Sequence, residues 1–201
     1  IADGNTAPGG GSSIGTAFNV TVQDTTAPAI TVPTDISKTA TGANGTTATY
    51  SASASDVVDG AITPTCSPAS GSLFGPGTTT VTCSATDSHG NTGTRTFRVT
   101  VTFSWSGVLQ PVNPDGTSIF NLNSTIPVKF TLTGASANVT NAAVKLYVRK
   151  ISGSVSGNEQ EAISTSAANV GNLFRYDATS GQYIFNLGTK ILGVGTYQLR
   201  V

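Results

Sequence analysis

The sequence predicts an all-β chain of two β-sandwich domains in tandem, with an extra N-terminal strand. Three observations predict it: short runs that alternate apolar and polar residues, turn signals between those runs, and no stretch with a helical period. Alternation with a period of two places one face of a strand in a core and the other in water. Phe18, Val20 and Val22 alternate with Asn19 and Thr21, and Phe97, Val99 and Val101 with Arg98, Thr100 and Thr102. Ile126, Val128, Phe130 and Leu132 follow the same pattern, as do Val144, Leu146 and Val148. Between such runs stand Ala43-Asn44-Gly45, Val58-Asp59-Gly60, Gly75-Pro76-Gly77, His89-Gly90-Asn91, Pro114-Asp115-Gly116 and Thr179-Ser180-Gly181. These are residues that set tight turns, and short strands at such spacing argue a sandwich or barrel. Residues 152–172 read as a long loop or a short helix.

Composition narrows the function classes. Lys+Arg and Asp+Glu are both 10, so the formal net charge is zero. No electrostatic field draws in nucleic acid or an anionic membrane, and no apolar run is long enough to insert. The chain starts at Ile1 without an initiator Met or signal peptide, which reads as processing or omission of the first residues. Cys66 and Cys83 are the two cysteines. In a Thr-, Ser- and Gly-rich chain the pair reads as a disulfide, with two buried free thiols as the other reading.

Three segments follow: residues 1–23, 24–102 and 103–201. Asp24-Thr25-Thr26-Ala27-Pro28 reads as a linker closing one module and opening the next. Gly4-Asn5-Thr6 followed by Phe18-Asn19-Val20-Thr21-Val22 echoes Gly90-Asn91-Thr92 followed by Phe97-Arg98-Val99-Thr100-Val101. Residues 1–23 therefore look like the last strand of a sandwich without its sheet. Such a strand is not stable alone and must pair with something.

Residues 24–102 resemble the hyalin repeat (HYR) family. The resemblance lies in Asp24 to Pro28, Pro33-Thr34-Asp35-Ile36, Asp56-Val57-Val58-Asp59-Gly60, Cys66 to Phe74, Gly77 to Cys83 and Ala85-Thr86-Asp87-Ser88-His89-Gly90-Asn91. It implies an immunoglobulin-like, extracellular, tandemly repeated module associated with adhesion, and its paired cysteines match Cys66 and Cys83. Residues 103–201 resemble a bacterial surface domain named for its Pro-x-Lys-Phe motif, here Pro127-Val128-Lys129-Phe130. Flanking matches are Phe103, Gly107, Pro111-Val112, Tyr176-Asp177, Gly181-Gln182-Tyr183 and Gly195 to Leu199. Similar domains carry one more strand after the equivalent of Gln198-Leu199-Arg200-Val201. The two resemblances together imply an immunoglobulin-like tandem on a bacterial or archaeal cell surface.

An extra strand at one end and a missing strand at the other suggest donor-strand complementation. Phe18, Val20 and Val22 of one subunit would enter the core of the next, and a head-to-tail contact of this kind builds a filament. The partners would be further copies of the chain, or neighbouring domains of one array. The rival readings are a ligand- or carbohydrate-binding accessory module of a larger secreted protein, marked by aromatics such as Trp105, Tyr147 and Tyr183, and an enzyme. The last is disfavoured: His89 is the one histidine, in a polar turn, and no nucleophile elbow, phosphate loop or zinc motif occurs.

No cofactor is required by any motif, and calcium is the one metal left open. Asp24, Asp56, Asp59, Asp87 and Asn91 are the candidate ligands, with turn and cap roles as the alternative. Asn19, Asn44, Asn123 and Asn138 head Asn-x-Ser/Thr sequons and are acceptors if the chain is secreted through a glycosylating route. Lys129 reads as an exposed strand lysine, and Trp105 as an anchor in the core or between the domains.

Overall fold

The computed structural model describes residues 19–201, and they form an all-β protein of two sandwiches. Strands β1 (Ala29–Thr31), β2 (Ile36–Thr39), β3 (Thr46–Thr47), β4 (Ser53–Asp56), β5 (Gly60–Ile62), β6 (Thr65–Ser67), β7 (Leu73–Phe74), β8 (Gly77–Thr86) and β9 (Thr92–Thr102) build the first. One sheet runs β2-β9-β8-β6, and β1-β4-β5 with the β3-β7 pair face it. The long hairpin β8–β9 is the spine, paired without a break from Gly77↔Val101 to Thr86↔Thr92. The alternation read at Phe97, Val99 and Val101 puts all three in the core, against Ile30, Phe74 and Val81. β2 then adds to the far edge of β9 in parallel, so β9 is flanked on both sides.

Cys66 and Cys83 form a disulfide. They are directly opposed in the β6–β8 register, so the bridge staples neighbouring strands of one sheet rather than joining the two sheets.

The second sandwich contains β10 (Thr125–Phe130), β11 (Tyr147–Ser152), β12 (Val155–Ser156), β13 (Gln160–Glu161), β14 (Arg175–Asp177), β15 (Gln182–Gly188) and β16 (Thr196–Arg200). One sheet runs β10-β15-β14, and the entering chain joins it through bridges Trp105↔Leu132 and Leu109↔Lys129. Ile126, Val128, Phe130 and Leu132 point into the core, as their alternation predicts. Phe130 stacks on Tyr183 with ring centroids 5.0 Å apart. The Tyr183 hydroxyl donates to the Val139 carbonyl and accepts from the Ala142 N–H, so a buried polar tip is fully paired. In the facing sheet β12 and β13 return along one edge of β11, and β16 pairs with Tyr147–Ile151 along the other.

Two sequence expectations need correction. Residues 152–172 are neither a plain loop nor a helix. They contain the two-residue strands β12 and β13, with turns before and after the pair, and the one helix among the described residues is a single 3-10 turn at Gly134–Ser136. Residues 19–28 form no strand; Val20 and Val22 are 73 % and 91 % exposed. Phe18 lies outside the described residues.

The sandwiches meet at a built junction. Phe103 packs on both cores. The buried Ser136 hydroxyl donates to the Ala40 carbonyl at 2.7 Å and accepts from the Ser104 N–H.

Two predictions follow from these contacts. Reducing the disulfide, or the double change Cys66→Ala/Cys83→Ala, frees a loop with a sequence separation of 17. The expected loss is about 3 kcal/mol in urea denaturation, and no loss contradicts it. In the second sandwich the Ser180 hydroxyl holds the Asp177 carboxyl below its ordinary range, and Arg200 does the same for Glu159. Both folded values lie below the unfolded ones, so their stabilisation is present above the unfolded pKa of about 4 and is lost as pH falls through the lower folded values. The thermal midpoint should stay flat above about pH 5 and decline below about pH 4.

Candidate functional site

Four carboxylates converge where the N-terminal segment reaches the first sandwich. Asp24 lies in that segment, Asp56 ends β4, Asp59 is in the β4–β5 turn, and Asp87 starts the β8–β9 turn. One oxygen from each lies within 4.8 Å of the others. Carboxylates gathered this closely repel one another.

Each carboxylate is oriented by its own loop. Asp24 Oδ1 accepts from the Thr26 N–H. Asp56 Oδ1 accepts from the N–H groups of Val58 and Asp59, which is the turn capping its sequence suggests. Asp87 Oδ1 accepts from the N–H groups of His89 and Asn91, and Oδ2 from Asn91 Nδ2. Asp59 Oδ1 accepts from the Ser88 hydroxyl at 2.5 Å. That bond holds the Asp59 carboxyl below its ordinary range, outweighing the partial loss of water around it. Burial pushes Asp87 up, but the hydrogen bonds from Asn91 and His89 outweigh it and hold that group low. Both are therefore carboxylates at neutral pH.

Of the five residues picked from sequence as metal ligands, the structure brings the four aspartates together. Asn91 has a different place: its Nδ2 donates to Asp87 and to the Asp24 carbonyl, tying the N-terminal segment to the β8–β9 turn. Sequence reasoning missed two residues here. His89 was read as a plain turn residue, yet its Nδ1 lies 3.4 Å from Asp59 and 3.8 Å from Asp24. The same nitrogen faces Ser88, so one ring atom meets both hydroxyl and carboxylates, which is not the relay of a Ser-His-Asp triad. Gly93 lies beneath the segment: a Cβ there would sit 2.2 Å from the Pro28 carbonyl oxygen.

A second feature lies at the far end of the molecule. The inward-facing residues of β8, Val81, Cys83 and Ala85, are buried because β6 and β9 flank that strand. The corresponding residues of β16, Tyr197 and Leu199, are only half-buried, as is Val201 beyond it. Among the described residues β16 has one neighbour, β11, and its other edge is free. Beside its end a groove of about 380 Å³ is lined by Phe103, Trp105, Phe130, Leu132, Val144 and Val201. Trp105 is 44 % exposed at this groove and meets Phe130 edge to face at 5.7 Å.

Other sequence readings fall into place around these features. Tyr183 is buried, which removes it from any aromatic platform, and Arg200 covers the Tyr147 ring at 4.5 Å. Lys129 is half-buried rather than exposed, on a strand bordered by β15 and the Leu109 bridge. Asn19, Asn44, Asn123 and Asn138 are all exposed. No helix among the described residues is long and apolar enough to cross a membrane.

The first sandwich has the all-β fold of an immunoglobulin-like module, and the family it matches is an extracellular, non-catalytic adhesion-type one. Residues 23–101, the whole first sandwich, match the family model of the HYR domain. No curated protein and no solved structure matches the chain.

The packing of Pro28 on Gly93 gives a prediction. Gly93→Ala should cost about 1–3 kcal/mol, because the clash is with backbone and not with a flexible side chain. Hydrogen exchange should then accelerate at Asp24–Pro28; unchanged exchange and stability would show that the segment is not held there.

Proposed function

We propose that this chain is a subunit of an extracellular, cell-surface array assembled head to tail, in which residues 18–22 of one copy pair with the free edge of β16 on the next. The observation that carries the reading is the mismatch between the two sandwiches. In the first, β9 closes the sheet beside β8 with Phe97, Val99 and Val101 inward. In the second, β16 offers the same kind of edge, and the chain's own copy of that pattern, Phe18-Asn19-Val20-Thr21-Val22, stands ahead of the first sandwich.

Strand addition suits both sides. Unpaired N–H and C=O groups along β16 supply main-chain hydrogen bonds, and the groove accepts alternate apolar side chains. Burying Phe18, Val20 and Val22 is worth roughly 5–8 kcal/mol before ordering costs. Donor and acceptor lie on different sandwiches, so the contact repeats without closing and propagates.

The test uses the 201-residue chain in light scattering and negative-stain microscopy. Wild type should form extended oligomers, Val20→Asp/Val22→Asp should stay monomeric, and a peptide of residues 14–23 should bind the variant. A wild-type chain that remains monomeric and ignores the peptide overturns the proposal and leaves the β16 edge to some other segment.

A further inference from the structure

The acidic cluster carries more charge than its surroundings answer. Asp24 and Asp56 are held by loop hydrogen bonds at Oδ1, and each turns Oδ2 inward, where it is buried and has no hydrogen-bond partner. The Asp24 side chain is 6 % exposed and Asp56 9 %. Buried anionic oxygens are nearly always paired or bound to a cation. His89 is the one basic side chain in ion-pair range of the cluster among the described residues, and it reaches only Asp24 and Asp59. Its side chain is 42 % exposed, so it sits at the rim and leaves Asp56 Oδ2 unanswered.

The donor set selects the ion. Four carboxylate oxygens within 4.8 Å of one another are close enough to share one cation, and hard oxygens are what calcium takes, at about 2.3–2.6 Å. Magnesium needs shorter bonds in a strict octahedron and keeps most of its water. Zinc prefers thiolates and imidazoles, and here both cysteines are consumed in the disulfide. We propose that Asp24, Asp56, Asp59 and Asp87 bind one calcium ion that fastens the N-terminal segment to the first sandwich. Asp24 is two residues from Val22, so the ion fixes where the exposed apolar ribbon leaves the module. Asn91, which holds both Asp87 and the Asp24 carbonyl, is a positioning residue for this site.

The site lies within one copy, so its fate is separable from that of strand exchange: monomeric Val20→Asp/Val22→Asp should bind calcium as wild type does. Calorimetric titration of the full chain, stripped with EDTA, should give one calcium per chain with a dissociation constant of roughly 10⁻³ M or tighter. Magnesium should bind at least tenfold more weakly, and the thermal midpoint should rise with calcium. Asp56→Asn should weaken calcium at least tenfold. Asp24→Asn, which lies before the first strand and leaves the sandwich intact, should do the same and serves if Asp56→Asn does not fold. No heat and no midpoint shift at about 10 mM calcium overturns the proposal. Undiminished affinity in Asp24→Asn overturns it as well.

Discussion

An exposed β-sheet edge presents unpaired backbone groups, and the way each sandwich closes its long strands organises this protein. In the first sandwich β9 is paired on both sides, by closing the sheet beside β8 and by accepting β2 on its outer side. The result is a core in which Val81, Val99 and Val101 are fully enclosed. In the second sandwich β11 is paired on one side by β12 and β13 and on the other by β16. Among the described residues the unpaired groups then fall to the outer edge of β16, where half-buried Leu199 and Val201 stand next to the groove.

The ends of the first sandwich are treated differently from its faces. At one end four aspartates, Asn91 and Gly93 gather the incoming segment onto the β4–β5 and β8–β9 turns. At the other, Phe103 and Ser136 weld the two domains.

The strands with long alternating runs were legible in the sequence, because a single apolar face dictates the period wherever one side is buried. Phe97 to Val101 and Ile126 to Leu132 are examples. The stretch 152–172 was not, since two-residue strands leave too little pattern to read. The identity of the acidic residues was also legible, but not their convergence: Asp24 and Asp87 are joined by long-range pairing of the sheets, which local spacing does not encode. The same applies to the Ser136–Ala40 bond and to the parallel addition of β2. His89 was passed over because a polar turn explains a lone histidine until its neighbours are known. The alternation at Val20 and Val22 is legible as well, but among the described residues both side chains stand exposed.

The proposed array rests on the ribbon of one copy meeting the free edge of β16 on the next. Both native cysteines are bonded to each other, so introduced thiols are the only free ones. Thr21→Cys combined with Gln198→Cys places one thiol on the outer face of each strand. Mild oxidation should yield a ladder of disulfide-linked multimers from the double variant and from neither single variant. A double variant that runs as a monomer under the same oxidation, at a protein concentration where wild type is oligomeric, would contradict the pairing of residues 18–22 with β16.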